Sequence, residues 1–108
     1  MELQKFELSV FISLINGSSV IDATKEAQKA LLEYILGKEI KDKDWDKAVV
    51  KVTSYLKEKY TKIIEAAQLV ADVILDLPRY NRLVDLYKKY HTVEPLVKKS
   101  QVKKEALA

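Results

Sequence analysis

Apolar residues recur at Leu3, Phe6, Val10 and Leu14, the spacing of one helix face, while Leu8, Phe11, Ile12 and Ile15 widen that face well beyond a stripe. The first predicted element is therefore a helix that is apolar around most of its circumference. Asn16-Gly17 suits a helix C-cap, although an apolar run, Asn-Gly and then Ser18-Ser19-Val20-Ile21 also fits a hairpin. Helix is the preferred reading, because a return strand would have only four residues before the next helical pattern begins.

That second pattern opens at Ser19, with Asp22 three residues on in the manner of a capping box, and stops at Gly37. It predicts a helix over residues 20–36 whose inner face is Val20, Ala23, Ala27, Ala30, Leu31 and Tyr34. Three alanines on one face favour a close helix–helix seam.

The clearest pattern comes after Asp44, which is placed to cap a helix carrying Trp45, Ala48, Val49, Val52, Tyr55, Leu56, Ile63, Ala66, Ala67, Val70, Ile74 and Leu77 on one stripe. The stripe keeps its phase, so it predicts a single helix of about 32 residues and roughly 48 Å. A compact domain of this length has a radius of gyration near 13 Å, so such a helix must overhang, kink or belong to an elongated bundle. Lys59 is the one charge inside the stripe, expected to pack its stem and send its ammonium to water at a loose or bent turn around Lys59-Tyr60-Thr61.

Leu77-Pro78 ends that helix and opens the next. Read as a string, "RYNRLVDLYKKYH" mixes tyrosines with basic residues as a base-stacking surface would. Wrapped on a helix, Tyr80, Leu83, Val84, Tyr87 and Tyr90 fall on one arc, and Arg82, Asp85, Lys88 and Lys89 on the other. The tyrosines then read as core residues with hydroxyls at the rim. His91 comes after the last turn, and Thr92 can cap a final segment. The end of the chain carries Lys98, Lys99, Lys103 and Lys104 without a sustained apolar stripe. The expected organisation is a helical domain over residues 1–95 and a flexible basic tail over 96–108.

Composition sharpens this picture in two places. Two glycines, two prolines and 32% charged residues make a rigid, charge-rich balance of the kind found in thermophile proteins. The net charge of +3 is uneven, because residues 76–108 hold eight basic against four acidic residues. Lysine outnumbers arginine seventeen to two, so any contact with nucleic acid is expected to be directed at phosphates, not base edges. The chain has no cysteine, and its opening lacks a basic leader and a cleavage site, so a mature, soluble, cytoplasmic protein is expected.

Candidate chemistry changes little. Asp42, Asp44 and Asp46 alternate like the first half of a calcium loop, but lysine stands where the loop needs glycine and Thr53 where it needs glutamate. Gly17 and Gly37 stand alone, so no phosphate loop is present, and a single histidine without cysteine is a poor zinc or catalytic centre. No catalytic residue, metal ligand or cofactor is therefore expected. The reading is an all-α bundle of four main helices with a long third helix and a basic C-terminal tail, acting without catalysis as an interaction or assembly module. Its partner is expected to be a second copy, or another subunit of a larger complex, bound through the apolar excess of Leu8, Phe11, Ile12 and Ile15. The alternative is a sequence-tolerant nucleic-acid-binding protein, or a small subunit of a nucleoprotein machine, contacting phosphates through Arg82, Lys88, Lys89, Lys98, Lys99, Lys103 and Lys104.

Overall fold

Leu8 through Leu14 are buried without a break, so the first helix is the centre of the molecule and not one of its walls. The computed structural model describes residues 3–17, 23–72 and 75–96. It is mostly helical, with α1 (Leu8–Asn16), α2 (Lys25–Leu36), α3 (Trp45–Lys59), α4 (Thr61–Leu69) and α5 (Leu77–Tyr87). A two-stranded antiparallel ribbon joins β1 (Lys5–Glu7) to β2 (Tyr90–Thr92), with Phe6 opposite His91. No helix among the described residues is long and apolar enough to cross a membrane.

Residues 8–16 are helix, as preferred over a hairpin, and Gly17 closes α1 in the left-handed conformation with φ 75°, its N–H donating to the Ser13 carbonyl at 2.9 Å. Gly37 closes α2 in the same way, at φ 69°. The helix start expected near Leu3 moves to Leu8, because residues 5–7 pair with β2 instead. The second helix begins at Lys25, where Thr24 accepts a hydrogen bond from the Ala27 N–H; the expected cap at Ser19 and Asp22, and Val20 with it, lie outside the described residues. Its buried face is Gln28, Leu31, Leu32, Ile35 and Leu36, and Ala30 is exposed. Of the expected inner face, Leu31 and Ala23 are buried and Ala27 and Tyr34 pack half-buried against the core, so among the described residues only Ala30 departs from it; Ala66 and Ala67 of α4 are a further pair of fully buried alanines.

The expected long third helix is two helices. Tyr60, at φ −126° and ψ 61°, leaves the helical region between α3 and α4. Its N–H still bonds the Leu56 carbonyl at 2.7 Å, and its own carbonyl accepts from Ile63 at 3.1 Å and Ile64 at 3.4 Å, so the chain bends without unwinding. The stripe runs through the bend, with Ala48, Val52, Leu56, Ile63, Ala66, Ala67 and Val70 all buried. Ile74 lies outside the described residues, and the last expected member, Leu77, instead opens α5 and is exposed. The four expected helices become five among the described residues for this reason.

Bending lets one stripe cover two sides of α1. Val10, Phe11 and Leu14 pack with α2, α3, the start of α4 and Val93, while Leu8 and Ile12 pack with Ala66, Ala67, Val70, Leu75, Tyr80 and Leu83. Ile15 touches both clusters. The fold is elongated, 50 × 29 × 21 Å with a radius of gyration of 14.3 Å. Phe11→Ala is expected to lower stability by about 3–5 kcal/mol, read as a shift in the urea midpoint with unchanged slope. Leu86→Ala, on the exposed side of α5, is expected to change it by less than about 0.5 kcal/mol.

Candidate interaction surface and the tyrosine clamp

Three of the four residues expected to dock a partner are unavailable to one. Leu8, Phe11 and Ile12 are fully buried inside a single chain, and Ile15 is half-buried. The expectation that α1 keeps an apolar excess for a partner fails because the bend at Tyr60 and the ribbon supply walls that straight helices would not.

The residues expected to meet phosphates fare differently. Arg82, Lys88 and Lys89 are all exposed, and among the described residues none of them forms an ion pair. Lys98, Lys99, Lys103 and Lys104 lie outside the described residues. The helix carrying Arg82 is capped by Asp76, which accepts from the Arg79 N–H at 3.0 Å, with Pro78 in its first turn. Its inner side is Tyr80, Leu83, Val84 and Tyr87, packed on α4 and α1. On its outer side Arg79 and Arg82 fall within about 40° of Leu86, counting 100° per residue. Leu86 is 73% exposed, more than any other large apolar side chain described.

Tyr90 departs from the expected tyrosine arc. The helix stops at Tyr87, and Lys88 turns the chain at φ 72° so that Tyr90 enters β2, 52% exposed with the Lys89 ammonium 5.5 Å from its ring centroid. Tyr80 does lie in the core, its hydroxyl accepting from the buried Ser9 N–H at 3.3 Å. His91 sits in the ribbon with its ring edge-on to Phe11, 6.1 Å between centroids.

A second constellation is not legible in the sequence. Tyr34 donates its hydroxyl to the Val93 carbonyl at 2.6 Å, and Tyr55 donates to the Glu94 carbonyl at 2.7 Å. Tyr60 accepts from the Glu94 N–H at 2.8 Å. Lys59 is exposed at the bend, as expected of the one charge in the stripe, and there it also pairs with the Glu94 carboxylate. The Val93 side chain is fully buried, and the Leu96 N–H reaches the Ile35 carbonyl at 2.8 Å. Three tyrosines from α2, α3 and the bend thus grip an extended segment by its backbone. The Tyr55 and Tyr60 rings meet edge-on at 5.9 Å. Only the placement of Tyr34 and Tyr55 on apolar faces hints at this site, since the bonds span 34 to 59 residues.

Among the described residues no three His, Cys, Asp or Glu are gathered for a metal, and Asp42 and Asp44 form an exposed 3-10 turn ahead of α3. An open depression of about 360 Å³ lies beside the bend, lined by Lys57, Thr61, Lys62, Ile64, Glu65 and Gln68, without a nucleophile paired to a base. Compared with known proteins, the chain matches no family model, no curated protein and no solved structure.

Titration offers a check on the clamp. Burial, then the Tyr60 hydroxyl and the Glu94 charge, push the Tyr55 phenol well above its ordinary value. The Glu94 carboxylate raises the Lys59 ammonium, and burial followed by Glu65 raises Tyr87. A group that holds its proton more tightly when folded contributes stability below its unfolded pKa and loses it as pH rises toward the folded value. Stability measured by urea unfolding is therefore expected to decline as pH is raised above about 10, and to decline less steeply in Tyr55→Phe. A wild-type protein indifferent to alkali would contradict the clamp.

Proposed function

We propose that this protein is a non-enzymatic helical interaction module that docks a protein partner through the outer face of α5. The observation that carries the reading is Leu86, a leucine 73% exposed on an ordered helix, with Arg82 one turn before it and Lys89-Tyr90 beyond it in the chain. Central apolar anchors flanked by arginine and tyrosine are the composition of interface hot spots. The matching surface is an apolar pocket with an acidic rim, on another subunit of a larger complex. Tagged protein recovered from its native cell should bring down a partner at fixed stoichiometry, and Leu86→Glu should lose it with helicity and melting temperature unchanged. Recovery of the same partner by Leu86→Glu would count against the reading.

A second reading is favoured by a separate observation, the cations Arg82, Lys88 and Lys89, free of ion pairs among the described residues and beside an exposed tyrosine. It makes the same region a phosphate-directed nucleic-acid contact, extended by Lys98, Lys99, Lys103 and Lys104. Binding to duplex DNA would then be sequence-tolerant and fall steeply with salt. Arg82→Ala with Lys89→Ala is expected to flatten the dependence of log K on log salt by roughly 0.9 for each lost contact. Nuclease treatment releases the partner under this reading and leaves it bound under the first.

A further inference from the structure

The segment after α5 belongs, by its bonds, to the other half of the molecule. Between Tyr87 and Tyr90 only Lys88 and Lys89 connect it to the helix. Beyond them, the polar contacts of the segment lead mainly to the earlier part of the chain. Thr92, His91 and Tyr90 pair with Lys5, Phe6 and Glu7, and the Lys89 carbonyl accepts from the Leu8 N–H at 2.7 Å. Val93 and Glu94 are held by Tyr34, Tyr55, Tyr60 and Lys59, and Leu96 by Ile35. The exception is the His91 Nε2, which donates to the Lys88 carbonyl at the hinge itself, 3.0 Å away. The receiving groove therefore reads main chain and one acidic side chain, and residues 90–96 of an identical chain would satisfy it equally.

The connection to α5 is under strain. Lys88 is the one non-glycine residue with positive φ among those described, and φ 72° with ψ 153° lies in a region that is essentially reserved for glycine. Opening the chain at Lys88 and Lys89 releases that strain. Short strained hinges are what convert a docked terminal segment into an exchanged one. Residues 90–96 occupy the groove along their length, so the crossing is made by Lys88-Lys89, roughly 7 Å at 3.3 Å per residue, which sets α5 of one copy close beside the groove of the other.

We infer that the partner of the tyrosine groove is a second copy of this chain, with residues Tyr90–Leu96 exchanged reciprocally about a two-fold axis and the hinge at Lys88-Lys89. The inference goes beyond the docking role of α5 and does not depend on it. Each copy keeps its own bond set, so the exchange adds the relaxation of two hinges to an otherwise conserved set of contacts.

The chain has no cysteine, which permits a direct test. Lys5 and Thr92 face each other across the ribbon and are both exposed, so Lys5→Cys/Thr92→Cys reports which chain supplies β2. The variant is refolded at high micromolar concentration, separated by size with light scattering, and oxidised. A denaturing gel without reductant should show the dimer fraction cross-linked at twice the 12.4 kDa chain mass, and the monomer fraction closed within single chains. Lys88→Gly, which relaxes the closed hinge, should weaken the dimer about fivefold per hinge, roughly 25-fold in dissociation constant. A protein that stays monomeric after refolding, a dimer whose disulfides close within each chain, or an unchanged constant in Lys88→Gly would each overturn the inference. Leu86→Glu should leave the exchange intact, which separates its failure from that of the α5 surface.

Discussion

Everything in this fold answers to the burial of one nine-residue helix on all sides. A surface helix hides a stripe, but α1 has no outward side between Leu8 and Leu14. The Lys89 carbonyl and the Tyr80 hydroxyl take the N–H groups of Leu8 and Ser9, and the main remaining requirement is apolar contact around the full circumference. Ser9 and Ser13 are small and buried, and Ala66 and Ala67 of α4 pack with Leu8 and Ile12. The Asn16 amide ties the far end of α1 to the Ala67 carbonyl at 3.1 Å.

The bend at Tyr60 is a consequence of that requirement. A straight helix over the length of α3 and α4 would lie along α1 and leave one of its sides to water. Bent, α3 serves the Phe11 side and the greater part of α4 serves the Leu8 and Ile12 side. The cost of leaving the helical region at one residue is small beside the burial of several large side chains, each contributing about 1.5–3 kcal/mol. Tyrosine suits the position because its ring packs against Tyr55 while its hydroxyl reaches the Glu94 N–H. The same division of ring and hydroxyl lets Tyr34 and Tyr55 line an apolar face and still satisfy main-chain carbonyls at its edge. No buried side-chain nitrogen or oxygen among the described residues lacks a partner.

With α1 consumed by the core, the surfaces proposed for association are the outer side of α5 and the groove beneath residues 90–96. Both lie after the bend or depend on it. The first offers side chains, Leu86 and Arg82, whose recognition would be specific to a partner's shape. The second offers mainly hydroxyls and main-chain ladders, whose recognition is indifferent to side chains apart from Val93 and Glu94, and so suits a repeated copy.

Local features of the fold are legible along the chain. Periods of 3.6 locate the helices, Asn16-Gly17 and Gly37 mark two stops, and Leu77-Pro78 marks a start, because capping and left-handed turns depend on residues within one turn of each other. The charge imbalance that exposes Arg82, Lys88 and Lys89 is legible for the same reason. The bent turn at Lys59-Tyr60-Thr61 is legible from the isolated charge of Lys59, but the division of the helix in two is not, since no proline or glycine stands there and the stripe keeps its phase across Tyr60. Nor is the phase of α2, where Leu32, Ile35 and Leu36 compete with the alanines for the inside and only the position of α1 decides. The helical pattern runs on through Tyr90, yet the chain leaves the helix at Tyr87 because Phe6 and the tyrosine groove hold residues 90–96. Those contacts join residues that are far apart in the chain and carry no mutual signal along it, so the hiding of α1 and the grip on residues 90–96 arise only when the helices pack.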